Sequence, residues 1–194
     1  MRKPENIRLL QQAIACFDDV QAYRQLFVLF QSSLIEFATT VLKSKQLSEE
    51  IVSDVFIALW QKRQQLDKIE NLPFYLFTAV KNRAINELHR QKRNGAVSLD
   101  EISIEFRSLY HDPEQKYISA EMIGEIQESI RQLPPRCQLI FKLVKEDGLK
   151  YKEVAELLHL SVKTVENQMG FALKKISTAL NIKPHHLTGI FSKN

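Results

Sequence analysis

Tyr151 to Ile176 reads YKEVAELLHLSVKTVENQMGFALKKI, and this stretch decides the fold. Val154, Ala155 and Leu158 recur at helical spacing, with Tyr151 one turn earlier. Ala155 is small enough to let a second helix cross closely. His159-Leu160 make a short turn, and Leu160 is expected to point into the core. Ser161 is placed as an N-cap, its hydroxyl accepting from the amide of Thr164 or its neighbour. Beyond it, Val162, Val165, Met169, Ala172, Ile176 and Leu180 form a buried stripe. Lys163, Thr164, Asn167, Gln168, Phe171, Lys174 and Lys175 are left outward. Two helices, a tight turn and a polar outer face on the second make a helix-turn-helix. Asn and Gln pair bidentately with adenine, Lys reaches guanine acceptors, and the Thr methyl touches a thymine methyl. A recognition helix reads bases from its N-terminal end, which assigns Lys163, Thr164, Asn167 and Gln168 to bases. Lys174 and Lys175, further along, are assigned to phosphate. A helical hairpin with a solvated outer face would explain the polarity. It would not explain small residue, turn, cap and groove-reading side chains together.

Working outward from this motif, the rest of the chain is also helical. Tyr117 to Leu133 is one helix, stopped by Pro134-Pro135. Arg136 to Glu146 is another, stopped by Asp147-Gly148. Pro184 ends the helix that begins at Val162, and HHLTGIFSKN is a tail. Toward the N-terminus, Ala22 to Leu42 places Leu26, Phe27, Phe30, Leu34, Phe37 and Val41 three or four apart. Ser48 before Glu49, Glu50 and Ile51 reads as an N-cap with acidic first-turn residues. Ile51, Val52, Val55, Phe56, Leu59 and Trp60 continue the period. QKRQQLDKIEN is a helix end and loop. Pro73 suits the first turn of a further helix, which stops near Gly95.

That last helix has two faces. Phe77, Val80, Ala84 and Leu88 form the apolar one; Asn82, Arg83, Asn86, Arg90 and Arg93 form the other. Lys81 to Arg93 carries five Lys/Arg against Glu87, a net +4. Basic side chains in a row neutralise phosphates and steer toward a polyanion. Phe74, Tyr75 and Phe77 at its start are candidates for stacking on unpaired bases. Between the halves, Ala96 to Gln115 loses the helical period and sums to −4, with Asp100, Glu101, Glu105, Asp112 and Glu114 against Arg107. The expected organisation is all-α. A first helical domain spans 1–95, a flexible acidic linker 96–116, a second helical domain 117–183 and a tail 184–194.

Composition excludes several classes. The chain has 194 residues, five Gly and six Pro, too few turn residues for a sandwich, a barrel or a Gly-rich nucleotide fold. The net charge of +4 is too small to identify a polyanionic partner by itself. Cys16 and Cys137 lie far apart with no CxxC, and are read as reduced, partly buried thiols. The first residues carry charges where a signal peptide needs an apolar run. The longest uncharged stretch, Gln25 to Ile35, is shorter than a membrane span. There is no Gly-rich phosphate loop, no HExxH and no nucleophile elbow, so an enzyme fits poorly. No metal or cofactor is expected.

Several segments, in order, resemble the extracytoplasmic-function (ECF) sigma factors of the sigma-70 family. AYRQLFVLFQSSLIEFATTVL resembles the opening helices of sigma region 2. SEEIVSDVFIALWQKR resembles region 2.2, which docks on the largest polymerase subunit. LPFYLFTAVKNRAINELHRQKR resembles the helix that melts and reads the −10 promoter element. LPPRCQLIFKLVKEDGLKYKEVAELLHLSVKTVENQMGFALKKI resembles region 4, which reads the −35 element. The resemblance implies a cytoplasmic protein whose partners are core RNA polymerase, promoter DNA and an anti-sigma factor. It implies polymerase contacts at Ser53, Asp54, Trp60 and Gln61. It places Lys81, Asn82, Arg83, Asn86, Arg90 and Arg93 toward the −10 element, and the loop Gln64 to Asn71 where a −10 base is captured. Asn86 is a departure, since many members carry Asp there. The acidic linker would run through the polymerase's basic RNA and template channel. The rival reading is a helix-turn-helix regulator of duplex DNA, which has no need of the region 2 set. A helical protein-binding adaptor would not need Lys163, Asn167 and Lys174 outward.

Overall fold

The computed structural model describes residues 4–93 and 120–180. Among them there are helices and turns but no strand. The helices before residue 94 form one compact unit and those after residue 119 a second. The proposed linker and tail lie outside the described residues.

The first unit holds four α-helices: α1 Pro4–Phe17, α2 Val20–Leu42, α3 Lys45–Gln61 and α4 Leu72–Arg93. A 3-10 segment, Arg63–Lys68, separates α3 from α4. α1 was not anticipated. Eight of its 14 residues are apolar, but Gln11 interrupts the buried stripe between Ile7 and Ile14. Asp18 turns the chain at φ 52, and Asp19 caps α2 by accepting from the amides of Gln21 and Ala22. α2 therefore starts at Val20, before the periodic run.

α2 packs against α1, α3 and α4. Its most apolar 18 residues average a hydropathy of 1.4, within the range of a membrane span. Here Leu26, Phe30, Leu34 and Ala38 are instead fully buried against the neighbouring helices. Phe27 and Val41 are only half-buried. α2 ends at Lys43, whose φ of 57 is left-handed and whose N–H returns to the Thr39 carbonyl.

The cap of α3 corrects the expectation. Ser44, not Ser48, occupies it, accepting from the Leu47 amide at 3.3 Å. Ser48 lies one turn inside, fully buried, donating to the Ser44 carbonyl and meeting the Thr39 hydroxyl at 3.0 Å. Both serines precede charged or amide residues, so the local pattern fits either. The left-handed Lys43 starts the helix at the earlier one, and a small hydroxyl suits the crossing of α2 and α3.

After α3 the 3-10 segment is pinned by Leu66, which is 1% exposed. Asn71 then accepts from the Phe74 amide at 3.1 Å and caps α4, with Pro73 in its first turn. Leu72, Leu76, Phe77, Val80 and Ala84 form the buried face of α4, and Leu88 is half-buried. Phe77 packs edge-on to Phe37 at 5.2 Å between centroids. It is a core ring and not a stacking platform.

The second unit contains α5 Ala120–Arg131, α6 Pro135–Lys145, α7 Tyr151–Leu158 and α8 Val162–Ala179. Pro134 holds an extended entry and Pro135 opens α6, where a missing N–H costs nothing. Cys137 to Leu143 are all buried, so α6 is the helix the others surround. Gly148 turns the chain at φ 76. Glu153 accepts from the Lys150 amide at the start of α7.

Candidate nucleic-acid interface

The turn between α7 and α8 is built from the backbone up. His159 is left-handed at φ 53 and ends α7, and the Leu160 amide donates to the Ala155 carbonyl at 2.8 Å. Ser161 follows with an extended backbone. Its hydroxyl accepts from the Thr164 amide at 3.0 Å and meets the Thr164 hydroxyl at 2.8 Å. Val154 and Ala155 on α7, with Val165, Met169, Ala172 and Ile176 on α8, are buried.

Four details of the stripe differ from expectation. Leu157 is buried where Leu158 was expected, because spacings of three and four from Val154 both satisfy a helical period. Leu160 and Leu180 are half-buried. Val162, the first residue of α8, is 36% exposed.

The outer face carries Lys163, Asn167, Phe171 and Lys174 exposed, with Thr164 and Gln168 half-buried. Phe171 is 49% exposed, a large apolar surface on an otherwise polar face. Lys163 faces Glu166 at 3.4 Å. Lys175 is directed elsewhere: its Nζ donates to the Gln132 carbonyl at 2.6 Å, at the C-terminal end of α5. It closes a helix end whose carbonyls lack intrahelical partners. The assignment of Lys175 to phosphate is therefore not matched by its placement. Behind this face, burial pushes the Cys137 thiol above its ordinary range, and its Sγ contacts the Gln168 carbonyl at 3.3 Å. Cys137 is an inert core thiol, whereas Cys16 is exposed and not partly buried.

The first unit brings two groups of candidate residues together. Asn82, Arg83, Asn86 and Arg90 are exposed along α4. Lys81 is half-buried, and the Arg93 side chain lies outside the described residues. Arg90 makes a bidentate pair with Glu87 at 2.8 and 2.9 Å, which holds the Glu87 carboxyl below the usual carboxylate range. Arg83 donates to Asp54 Oδ2 at 3.1 Å. That bond joins a residue assigned to promoter DNA with one assigned to polymerase.

Ser53 and Asp54 are exposed on α3. Ser53, Trp60 and Gln61 line an open groove of about 530 Å³ with Val20, Tyr23, Phe27, Phe56 and Ile57. Val20 and Ile57 are 61% and 58% exposed, so apolar surface continues beyond the groove. Trp60 packs on Tyr23 at 4.8 Å and beneath the Arg63 guanidinium at 4.6 Å. Phe56 is core. The Tyr23 hydroxyl donates to the Phe56 carbonyl, and burial pushes its pKa up to about 12.

Two family models match the chain: Sigma-70 region 2 over residues 26–94 and Sigma-70 region 4 over residues 123–176. Together they take in 123 of the 194 residues, one on each helical unit. The chain belongs to the sigma-70 family. Among similar curated proteins is the ECF RNA polymerase sigma factor SigW of Bacillus subtilis (strain 168), 20% identical over 78% of this chain and 84% of that protein. The RNA polymerase sigma factor CnrH of Cupriavidus metallidurans is 24% identical over 92% of this chain and 96% of its own length. A solved sigma factor, RpoE in complex with the anti-sigma factor NepR from Bartonella quintana, aligns at a TM-score of 0.47 and 16% identity. It covers 84% of this chain and 99% of that one.

In this sigma factor, the region 2 match favours an initiation factor over a lone helix-turn-helix regulator. Three features escaped the sequence reading. The Arg83–Asp54 pair spans two helices and has no local signature. Lys175 stands on the outward side of α8 by spacing, and its turn toward Gln132 depends on where α5 ends. The third is a set of side-chain bonds that Arg8 and Gln11 of α1 make to the carbonyls of Leu66, Asp67 and Ile69. It had one signal, Gln11 on an otherwise apolar stripe with Ile7 and Ile14.

Proposed function

We propose that this chain is an ECF-type sigma factor. It binds core RNA polymerase and directs promoter-specific initiation, with region 2 holding the −10 element and the region 4 recognition helix reading the −35 element. One observation carries the reading: a region 2 unit and a region 4 unit occur in the same chain, the first with a basic helix and the second with a polar recognition helix. Polymerase-dependent initiation needs both. Duplex binding alone needs one.

In this scheme α8 grips the upstream duplex through Lys163, Thr164, Asn167 and Gln168 on bases and Lys174 on phosphate. Region 2 holds one strand of the opened −10 element along Lys81, Asn82, Arg83, Asn86, Arg90 and Arg93. A base leaves the stack at a cost of a few kcal/mol, which a receiving pocket returns. The loop 64–71 is the proposed receiver, with Tyr75, 41% exposed at the start of α4, available for stacking. Ser53, Asp54, Trp60 and Gln61 dock on polymerase. The domain limits 1–95, 96–116 and 117–183 belong to the same proposal. Such a factor works in the cytoplasm, and it positions promoter DNA while the polymerase makes the bonds. An anti-sigma factor is the expected regulator, and the groove beside Trp60 is the surface it would cover.

The test is transcription in vitro with core polymerase on genomic DNA, with start sites mapped. Initiation at a defined set of promoters sharing −10 and −35 elements supports the reading. No specific initiation by an active core enzyme refutes it.

A further inference from the structure

The segment between α3 and α4 is held from outside by the N-terminal helix. Three carbonyls at the C-terminal end of the 3-10 segment and just past it receive side-chain donors from α1, that of Leu66 in addition to the Ile69 amide at 3.1 Å. Gln11 Nε2 donates to the Leu66 carbonyl at 2.7 Å and to the Ile69 carbonyl at 2.9 Å. Arg8 donates to the Asp67 carbonyl. At the far end of α1, Asp18 pairs with Arg63, which itself lies over Trp60. Gln11 is 2% exposed and stands between the buried Ile7 and Ile14. An apolar residue there would complete the stripe. The amide has instead used both of its N–H groups on one loop. That loop buries Leu66 and leaves Gln64, Gln65, Lys68 and Glu70 outward.

We propose that α1 is the template for this loop, and that Gln11 is a positioning residue for −10 recognition. By fixing the carbonyls of Leu66 and Ile69, Gln11 determines where the exposed Lys68 between them stands before DNA arrives. A loop held in one arrangement cannot re-pack around a wrong base, so it discriminates more sharply than a mobile one. This proposal rests on the reading that 64–71 receives a −10 base.

The experiment uses the full chain with core polymerase on a promoter library randomised across the −10 and −35 elements. The variants are Gln11→Met, which keeps the volume and removes both donors, and Lys68→Ala in the loop itself. Loss of two buried hydrogen bonds should lower the preference at the loop-read −10 position by up to about ten-fold. Preference at −35 positions should stay as in wild type. A merely structural defect would lower activity on all promoters alike and leave both preferences intact. Arg8→Gln, at an exposed site, should shift the −10 preference in the same direction by less, and it serves if Gln11→Met does not fold. If Lys68→Ala alters −10 preference while Gln11→Met and Arg8→Gln leave it unchanged, the proposal is overturned and the loop reading stands. If Lys68→Ala changes nothing either, the loop reading falls and takes the proposal with it.

Discussion

Arg83 and Asp54 offer a direct test of the region 2 assignment. Their bond is 3.1 Å long, with the side chains 42% and 61% exposed. A pair this exposed contributes about 0.2–1 kcal/mol to folding. Arg83→Gln should therefore leave the unit folded, and any larger functional effect comes from what Arg83 contacts in the complex. If that contact is a phosphate of the opened strand, the slope of log affinity against log salt should fall by about 0.7. Between 50 and 200 mM KCl, the wild type should then lose about 2.6-fold more affinity than the variant. The assay is binding of a fluorescent promoter, unpaired across the −10 element, to the polymerase assembled with each sigma variant over that range. Asp54→Asn is the companion. It frees the Arg83 guanidinium from its carboxylate, so DNA affinity should hold or rise slightly while assembly with polymerase weakens. Unchanged affinity and slope for a folded Arg83→Gln would refute the DNA role of Arg83. A loss of DNA affinity in Asp54→Asn equal to that in Arg83→Gln would mean that the pair acts by shaping the surface.

Ser161→Ala removes the hydroxyl that receives the Thr164 amide; it should cost about 1 kcal/mol in chemical unfolding and weaken binding to −35 duplex. Thr78 has a buried hydroxyl oxygen with no hydrogen-bond partner among the described residues; Thr78→Val should be neutral or stabilise by up to about 1 kcal/mol, and a clear drop in melting temperature would show that the hydroxyl has a partner in solution. Tyr23 has a folded pKa raised to about 12 from an ordinary 10.0 by burial. The folded state therefore keeps its proton longer than the unfolded state, so this stability is whole below pH 10 and is lost as pH rises toward 12. Denaturant unfolding across that range should show a shallower decline for Tyr23→Phe than for wild type.

The fold was legible where one helix's own residues encode it. The α7 and α8 boundaries, the Ser161 cap and most of the buried stripe follow from spacing and one hydroxyl. The errors fell where two elements meet. Ser44 and Ser48 are both acceptable caps locally, and the choice depends on how α2 ends at Lys43. Phe77 looks available for stacking beside Tyr75 until Phe37 packs on it. The candidate site shows the same division. Asn167 and Lys174 stand outward as their period requires, but Lys175 sits where a carbonyl of α5 recruits it. α1 was missed because its buried stripe includes a glutamine, and a polar residue there counts against an amphipathic helix until its partners are known.

The use of Lys175 on Gln132 bears on how region 4 finds DNA. Lys163 also faces Glu166 and Lys175 is bound to a carbonyl, so Lys174 is the lysine of α8 best placed to meet a phosphate. Counterion release is the main source of sequence-independent affinity, and a module with few phosphate contacts binds weakly by itself. In the proposed scheme its occupancy of an upstream element would come from tethering. Once region 2 is seated, the chain confines region 4 near its element at an effective concentration that free protein does not reach. Such a factor would stay off duplex DNA when detached from polymerase and would read it only as part of the assembled enzyme.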